Sequence, residues 1–332
     1  MIKFAVLNDL HLADNSPLGR VPGYQDQLFD KLLGVATTMQ SMQIDNLICT
    51  GDIFHVKRPD RVSHALVNRL VDTLKNDFEA SIYICPGNHD LTEAGIASLN
   101  RQPLGVLFQT EVADPLIKDE GYTFFGGSGS RESILLIGRH FDTDGDFDPL
   151  YYVTTESEDR IRREHNAKTV IMVAHGSIVP PEAKPIYPHI SASQIPWEDG
   201  PFVPDVLLCG HLHEDWGVHK LRNGPIYSNL GSFGRPSRNQ KNVNTRNFLV
   251  MTIDGTKITM EQVPIPNMLP AGDVFFEKVE EQEDEALAEF AEQLASSIIL
   301  EETSLDEALN SLGDIAPKVK ARLRYYLEAA GI

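Results

Sequence analysis

The chain has 332 residues, 42% hydrophobic and 23% charged, which fits one large folded domain or two ordinary ones and excludes an intrinsically disordered chain. Against 29 basic residues stand 48 acidic ones, and the resulting charge of −19 argues against a protein that coats duplex DNA through Lys and Arg, though not against a phosphate substrate at a metal-loaded or locally basic site. No apolar run approaches the ~18 residues of a membrane span, and the three cysteines form no C-x-x-C.

The chain opens on Lys3–Leu7, an apolar run that reads as a buried strand and stops at Asn8-Asp9, too early for the core of an export signal. Residues 25–42 carry Leu28, Leu32, Val35, Ala36 and Met39 at helical spacing. A second strand is expected over 46–50, a second amphipathic helix over 60–76, and a third strand over 81–85. This alternation implies parallel strands joined by crossover helices. Further strands are expected at 122–125 and 133–138, a helix at 155–166, and strands at 168–174 and 205–209. From 225 to 264 the pattern is β-strands and turns, with Asp254-Gly255 as a hairpin signal. Cys49, Cys85 and Cys209 each end an apolar run, as small buried hydrophobes do, and point to a reduced, cytoplasmic setting.

The last sixty residues differ. Residues 273–332 hold 15 acidic and 5 basic side chains, a net of −10. Apolar stripes at 287–298, 305–312 and 319–327 predict helices that must pack against something. A division follows into a domain over 1–270 and an acidic helical segment over 271–332, either a cover on its own domain or a partner-binding element.

Five short segments carry the chemistry: Asp9-Leu10-His11, Gly51-Asp52, Gly87-Asn88-His89-Asp90, His175-Gly176 and Gly210-His211-Leu212-His213. Each follows an apolar strand, and active groups of an α/β sheet gather at the carboxyl ends of its strands. In D-x-H and H-x-H the two side chains emerge on the same side of an extended segment. Mixed His, Asp and Asn donors without thiolate suit manganese, iron or zinc better than calcium. Seven candidate ligands are too many for one ion and about right for two that share a carboxylate, the arrangement used for phosphoryl displacement.

With these segments in this order, the chain resembles the calcineurin-like metallophosphoesterases over roughly residues 1–260. The resemblance implies an α/β fold, a four-layer α/β/β/α sandwich with the helical segment as a small C-terminal appendage. It also implies two divalent ions, manganese first, with iron, zinc or magnesium as the others. One ion would take Asp9, His11, Asp52 and His213; the second would take Asp52, Asn88, His175 and His211. His89 would steady the phosphate or protonate the leaving oxygen, and Asp90 would orient that imidazole. Within the family, Gly51-Asp52-Ile53-Phe54-His55 followed by Arg58-Pro59 is most similar to the SbcD-type nuclease subunit of double-strand-break repair complexes. That likeness implies an exo- or endonuclease in recombination or repair, with His55 near the metals and the C-terminal helices bound to a coiled-coil ABC-type ATPase. The runner-up is a phosphodiesterase or phosphatase for nucleotides or other small molecules.

Basic residues border the metal motifs. Trp216–Ile253 contains no Asp or Glu and six basic residues, and segment 57–69 adds Lys57, Arg58, Arg61 and Arg69. Arg58, Arg235 and Arg238 are the candidates for contacting a phosphodiester backbone. Asp142, Asp144, Asp146 and Asp148 have calcium-loop spacing, but Gly145 is misplaced for an EF-hand. His140 could face substrate, and Trp197 and Trp216 fit loop or core packing better than base stacking. No membrane association is expected, and the oligomeric state stays open, a dimer included.

Overall fold

The structure is a computed structural model and describes residues 1–17, 19–56, 59–125, 133–185, 187–237 and 245–275. The helices predicted beyond residue 275, and with them Arg58 and Arg238, lie outside the described residues. The first half runs β1 (Ile2–Leu7), α1 (Tyr24–Met42), β2 (Asn46–Cys49), α2 (His64–Asn76), β3 (Ser81–Ile84), α3 (Pro103–Gln109), β4 (Asp114–Pro115) and β5 (Gly121–Phe125). Next come β6 (Ser133–Arg139), α4 (Glu156–Glu164), β7 (Ala167–His175), β8 (Ile178–Val179), β9 (Ile190–Ser191) and β10 (Val206–Gly210). The chain continues through β11 (Asp215–Lys220), β12 (Ile226–Leu230), β13 (Asn247–Asp254), β14 (Lys257–Pro264) and α5 (Ala271–Val274).

Two six-stranded sheets result, ordered β14-β13-β1-β2-β3-β4 and β11-β12-β10-β7-β6-β5. β1, β2 and β3 are parallel, as are β6, β7 and β10. The expected hairpin at Asp254-Gly255 joins β13 to β14, with Asp254 opposite Lys257, and β13 returns antiparallel to β1, pairing Thr252 with Lys3. The middle of the molecule is the contact between sheets: Phe4, Val6 and Ile48 from the first sheet meet Leu136, Ile171, Val173 and Leu208 from the second. The predicted stripe of α1 (Leu28, Leu32, Val35, Met39) and that of α2 (Leu66, Leu70, Leu74) cover the outer face of the first sheet. Leu135, Met172 and Leu207 bury the outer face of the second under Tyr152 and Trp197, with Ile161 of α4 at its edge. Helix, sheet, sheet, helix is the layering expected.

Helix α2 starts later than its periodicity suggests. Pro59–Arg61 forms a single 3₁₀ turn, and Ser63, in extended conformation, caps α2 by accepting from the Leu66 N–H at 3.0 Å. Trp197 lies in the core with its indole N–H on the Ala192 carbonyl. In the aspartate-rich loop, Asp142 Oδ1 accepts from the Asp144 and Gly145 amides, and Asp146 accepts from the amide and hydroxyl of Ser177. These are turn-building contacts rather than a calcium cage.

Candidate metal centre

Asp9 and His11 follow β1, Asp52 follows β2, Asn88 and His89 follow β3, His175 ends β7, and His211 and His213 follow β10. The two sheets face each other with these strand ends adjacent, so segments far apart in sequence meet. The His11 amide donates to the Asp52 carbonyl at 2.8 Å, and the His211 amide to Asp9 Oδ1 at 2.9 Å. Four of these residues sit in the left-handed region: Asp9 (φ 44°), His11 (φ 49°), Asp52 (φ 49°) and His211 (φ 82°). Non-glycine residues adopt it at a cost of order 1–3 kcal/mol each, a strain that gathers where surrounding contacts impose it. Two glycines are demanded by close approach. A Cβ on Gly51, itself at φ +117°, would strike the His175 ring, and one on Gly87 would strike the Asp52 carboxylate.

Among the described residues three groups of donors converge. His11, His55 and His89 form one; Asp9, His11, Asp52 and His213 form the second, and Asp52, His175 and His211 the third, with Asp52 common to the last two. In the second, His11 Nε2 lies 2.7 Å from His213 Nε2 and 3.7 Å from Asp52 Oδ2. In the third, Asn88 Oδ1 lies 3.1 Å from His175 Nε2 and 2.9 Å from His211 Nδ1, and His175 Nε2 is 3.3 Å from Asp52 Oδ1. His175 Nδ1 donates to the Thr50 carbonyl at 2.8 Å, which leaves Nε2 as the nitrogen turned to Asn88 and Asp52. Burial holds His11 well below the usual imidazole range, His213 at about 3 and His211 at about 4, so all three are neutral and ligand-competent at pH 7. For His175, burial opposes charge, but the Asp52 carboxylate outweighs it and raises the group to about 9, so without ions Nε2 also carries a proton, which a metal ion would displace. Burial pushes Asp9 up to about 7, and its Oδ2 is buried without a hydrogen-bond partner among the described residues. An orphaned carboxylate oxygen beside convergent imidazole lone pairs is a donor set short of a cation, so these residues fit a pair of metal ions.

His89 stands beside this set. Its Nδ1 donates to the His55 carbonyl at 2.5 Å, its amide donates to Asp52 Oδ1 at 2.8 Å, and its ring lies 5.8 Å from the His55 ring at an interplanar angle of 13°. His55 Nδ1 is 3.4 Å from His11 Nδ1.

Two expected roles need correction. Asp90 does not orient His89. Its buried carboxylate accepts from the amides of Ile53, Phe54 and Gly87 and ties the second and third loops together, while the His55 carbonyl orients the imidazole. Arg235 does not face substrate. It is 3% exposed and donates to the Leu269 carbonyl, with its guanidinium 6.0 Å from the Phe275 ring. Sequence reasoning also overlooked Phe141, whose half-buried ring lies 5.6 Å from the His211 ring and 6.4 Å from that of His175. Its only sequence signal was its place two residues beyond the end of a buried strand.

No curated protein is similar enough in sequence to count as a match. Among solved structures, the chain is similar to a dimetal phosphatase from Danio rerio, with 13% identity, a TM-score of 0.48, and 79% of this chain and 96% of that one covered. It is also similar to a 5′-nucleotidase precursor from Thermus thermophilus, with 12% identity and a TM-score of 0.45, covering 80% of this chain and 54% of that one. The sequence profile of the calcineurin-like phosphoesterases matches residues 2–215, which spans every segment described above except the strands after His213. With more than half its length matched and its donor residues converging as a two-metal centre requires, the chain belongs to the calcineurin-like phosphoesterase family.

Proposed function

We propose that this protein is a two-metal phosphodiesterase that cleaves DNA as an exo- or endonuclease, with manganese as the working ion. The observation that carries the phosphodiesterase reading is the sharing of Asp52 between two converging donor sets. Asp9, His11 and His213 would complete one site, and Asn88, His175 and His211 the other. When bound, such a pair of ions activates a water and stabilises the charge that develops on the phosphoryl oxygens. The chain's own contribution is a proton donor and a rigid frame. With Nδ1–H held on the His55 carbonyl, His89 in its imidazolium form would carry its second proton on Nε2, to be given to the leaving oxygen. Asp90 clamps the loops that carry Asp52 and His89 against one another.

Support for DNA comes from the Gly51–His55 segment: its His55 ring stacks on His89 and reaches His11, where it can steer one side of a strand. The reading extends to a role in recombination or repair, with the acidic C-terminal segment engaging a coiled-coil ATPase, and to a cytoplasmic setting, which suits three buried free thiols. A second reading, a phosphoesterase for nucleotides or other small molecules, is favoured by one observation: Arg235, expected on the phosphate track, is buried.

The test offers manganese-loaded full-length protein single-stranded, duplex and hairpin DNA beside cyclic nucleotides and bis-(p-nitrophenyl) phosphate. Cleavage of at least one DNA form is expected. Hydrolysis of cyclic nucleotides with every DNA form untouched would decide for the second reading. Asp52→Asn should abolish turnover and lower the bound metal from two equivalents to below one; retention of both ions would overturn the shared carboxylate.

A further inference from the structure

Phe141 occupies a place that the reaction as described does not use. β6 is buried along its whole length and ends at Arg139; two residues later the chain reaches the metal residues. The Phe141 amide donates to the Pro86 carbonyl at 2.9 Å, which ties this residue to the loop carrying Asn88 and His89. Its neighbours are equally fixed. Tyr151 donates to the His140 carbonyl at 2.6 Å, the Lys118 amide donates to His140 Nδ1, and the Asp146 amide donates to the Asp142 carbonyl at 2.8 Å. The backbone that carries Phe141 is therefore fixed on both sides. It lies against His211 at 37° and across His175 at 79°, and part of its surface is open.

The polar surroundings restrict what can rest on that surface. Along the chain Phe141 is followed by Asp142, Asp144 and Asp148, the latter two exposed. A loop this acidic disfavours a second phosphate, whereas an uncharged flat ring meets an aromatic face at little cost. Ring-on-ring contact with a nucleobase contributes roughly 1–3 kcal/mol and tolerates any base.

We propose that Phe141 is a specificity-determining residue that seats the nucleobase of a nucleoside phosphoester at the His211 side of the centre. The inference rests on the phosphoesterase reading and narrows it to substrates with a base on the scissile unit, either a free nucleotide or the end of a strand. The base lies over Phe141, and its phosphoryl group points to the donor sets.

Binding and cleavage are measured separately, so that loss of the catalytic reading does not remove the test. Calorimetry on the manganese-loaded full-length chain compares thymidine 5′-monophosphate with methyl phosphate. The wild type should prefer the nucleotide at least ten-fold, and Phe141→Ala should reduce that ratio about ten-fold at unchanged metal content. Phe141→Leu, which keeps apolar bulk without a flat face, should lose most of the preference, and Phe141→Tyr should keep it. An equal ratio in wild type and Phe141→Ala would overturn the proposal, as would full preference in Phe141→Leu. Cleavage of the p-nitrophenyl ester of thymidine 5′-monophosphate and of a short oligothymidylate distinguishes the two sources. A Phe141→Ala defect on the ester alone assigns a free nucleotide, and a defect on both assigns a strand end. If neither is cleaved by wild type while the binding preference and its loss persist, the catalytic reading fails and the base seat stands.

Discussion

Replacing Glu158 with Gln tests the buried ion pair that anchors the approach to Phe141. Arg139 and Glu158 are both fully buried; the guanidinium donates to both carboxylate oxygens, at 2.5 and 2.9 Å, and also to the carbonyls of Gly138, Tyr151 and Val153. Glu158 is also the third residue of α4, and its carboxylate accepts from the Thr155 amide in a capping box. Gln can keep that cap with its one oxygen in the place of Oε2, so Glu158→Gln removes the countercharge and sets an amide NH2 against one Arg139 donor. An arginine left charged in a dry interior costs about 3–5 kcal/mol. Three carbonyls still accept from it here, which places the expected loss near 3 kcal/mol; Glu158→Ala, which also removes the cap, should cost about 1 kcal/mol more. Urea unfolding followed by circular dichroism measures both. The double variant Arg139→Met/Glu158→Leu should be more stable than either single charge deletion, because it leaves no buried unpaired charge. A loss below about 1 kcal/mol in Glu158→Gln, or simple additivity in the double variant, would refute this account.

Two further substitutions probe buried titratable groups. Lys31 is 3% exposed in α1, with its ammonium on the Phe233 carbonyl and 4.4 Å from the Phe233 ring centroid, and burial together with Arg235 and Arg20 holds its pKa well below the usual value. In the window between that depressed value and about 10.4 the unfolded chain binds more protons, so stability rises with pH. Lys31→Met should lie within about 1 kcal/mol of wild type at pH 7 and lack the alkaline rise; urea midpoints that track wild type from pH 7 to 10 would contradict this. His140 is 8% exposed, and burial lowers it to about 4. Unfolded His titrates near 6.5, so the unfolded state holds the extra proton between pH 6.5 and 4, and stability drops by about 3 kcal/mol as the pH is lowered through that window. His140→Gln should flatten the decline, and an unchanged acid limb would remove His140 as its cause.

The centre was legible because its chemistry is tied to local pattern. Asp9, Asp52, Asn88, His175 and His211 each follow a run of β-type residues, and parallel strands must deliver their carboxyl ends to one side. That these ends come from two sheets is a long-range fact: nothing near Lys3 announces its pairing with Thr252. The misread residues share a cause. Asp90 and Arg235 carry charge beside motif segments, and a charged side chain reads as accessible until the backbone groups that enclose it are known. The start of α2 was missed by a few residues because Pro59 and Ser63 override the apolar period.

The placement of the cations bears on the charge of −19. Arg20 is 4% exposed, held between the rings of Tyr24 at 4.7 Å and Phe275 at 4.9 Å, and it donates to the Arg235 carbonyl. Tyr24 in turn donates to the His11 carbonyl, and the Gly234 amide to that of Asp9. These cations brace the backbone behind the first metal loop rather than greet a phosphate. Arg69, another basic residue expected near the site, pairs with Asp26 and lies over Phe29. The centre itself offers two carboxylates, one of them paired with His175, so without ions it has little charge to hold a phosphate, and with two divalent ions it carries about two positive charges. Attraction for an anionic substrate is thus created by metal loading and concentrated at one phosphoryl group, in contrast to a basic track whose affinity is spread along a backbone and lost steeply with salt. An acidic chain can act on a phosphoester on those terms, provided something other than charge holds the rest of the substrate, and the open surface of Phe141 beside His211 is placed to do so.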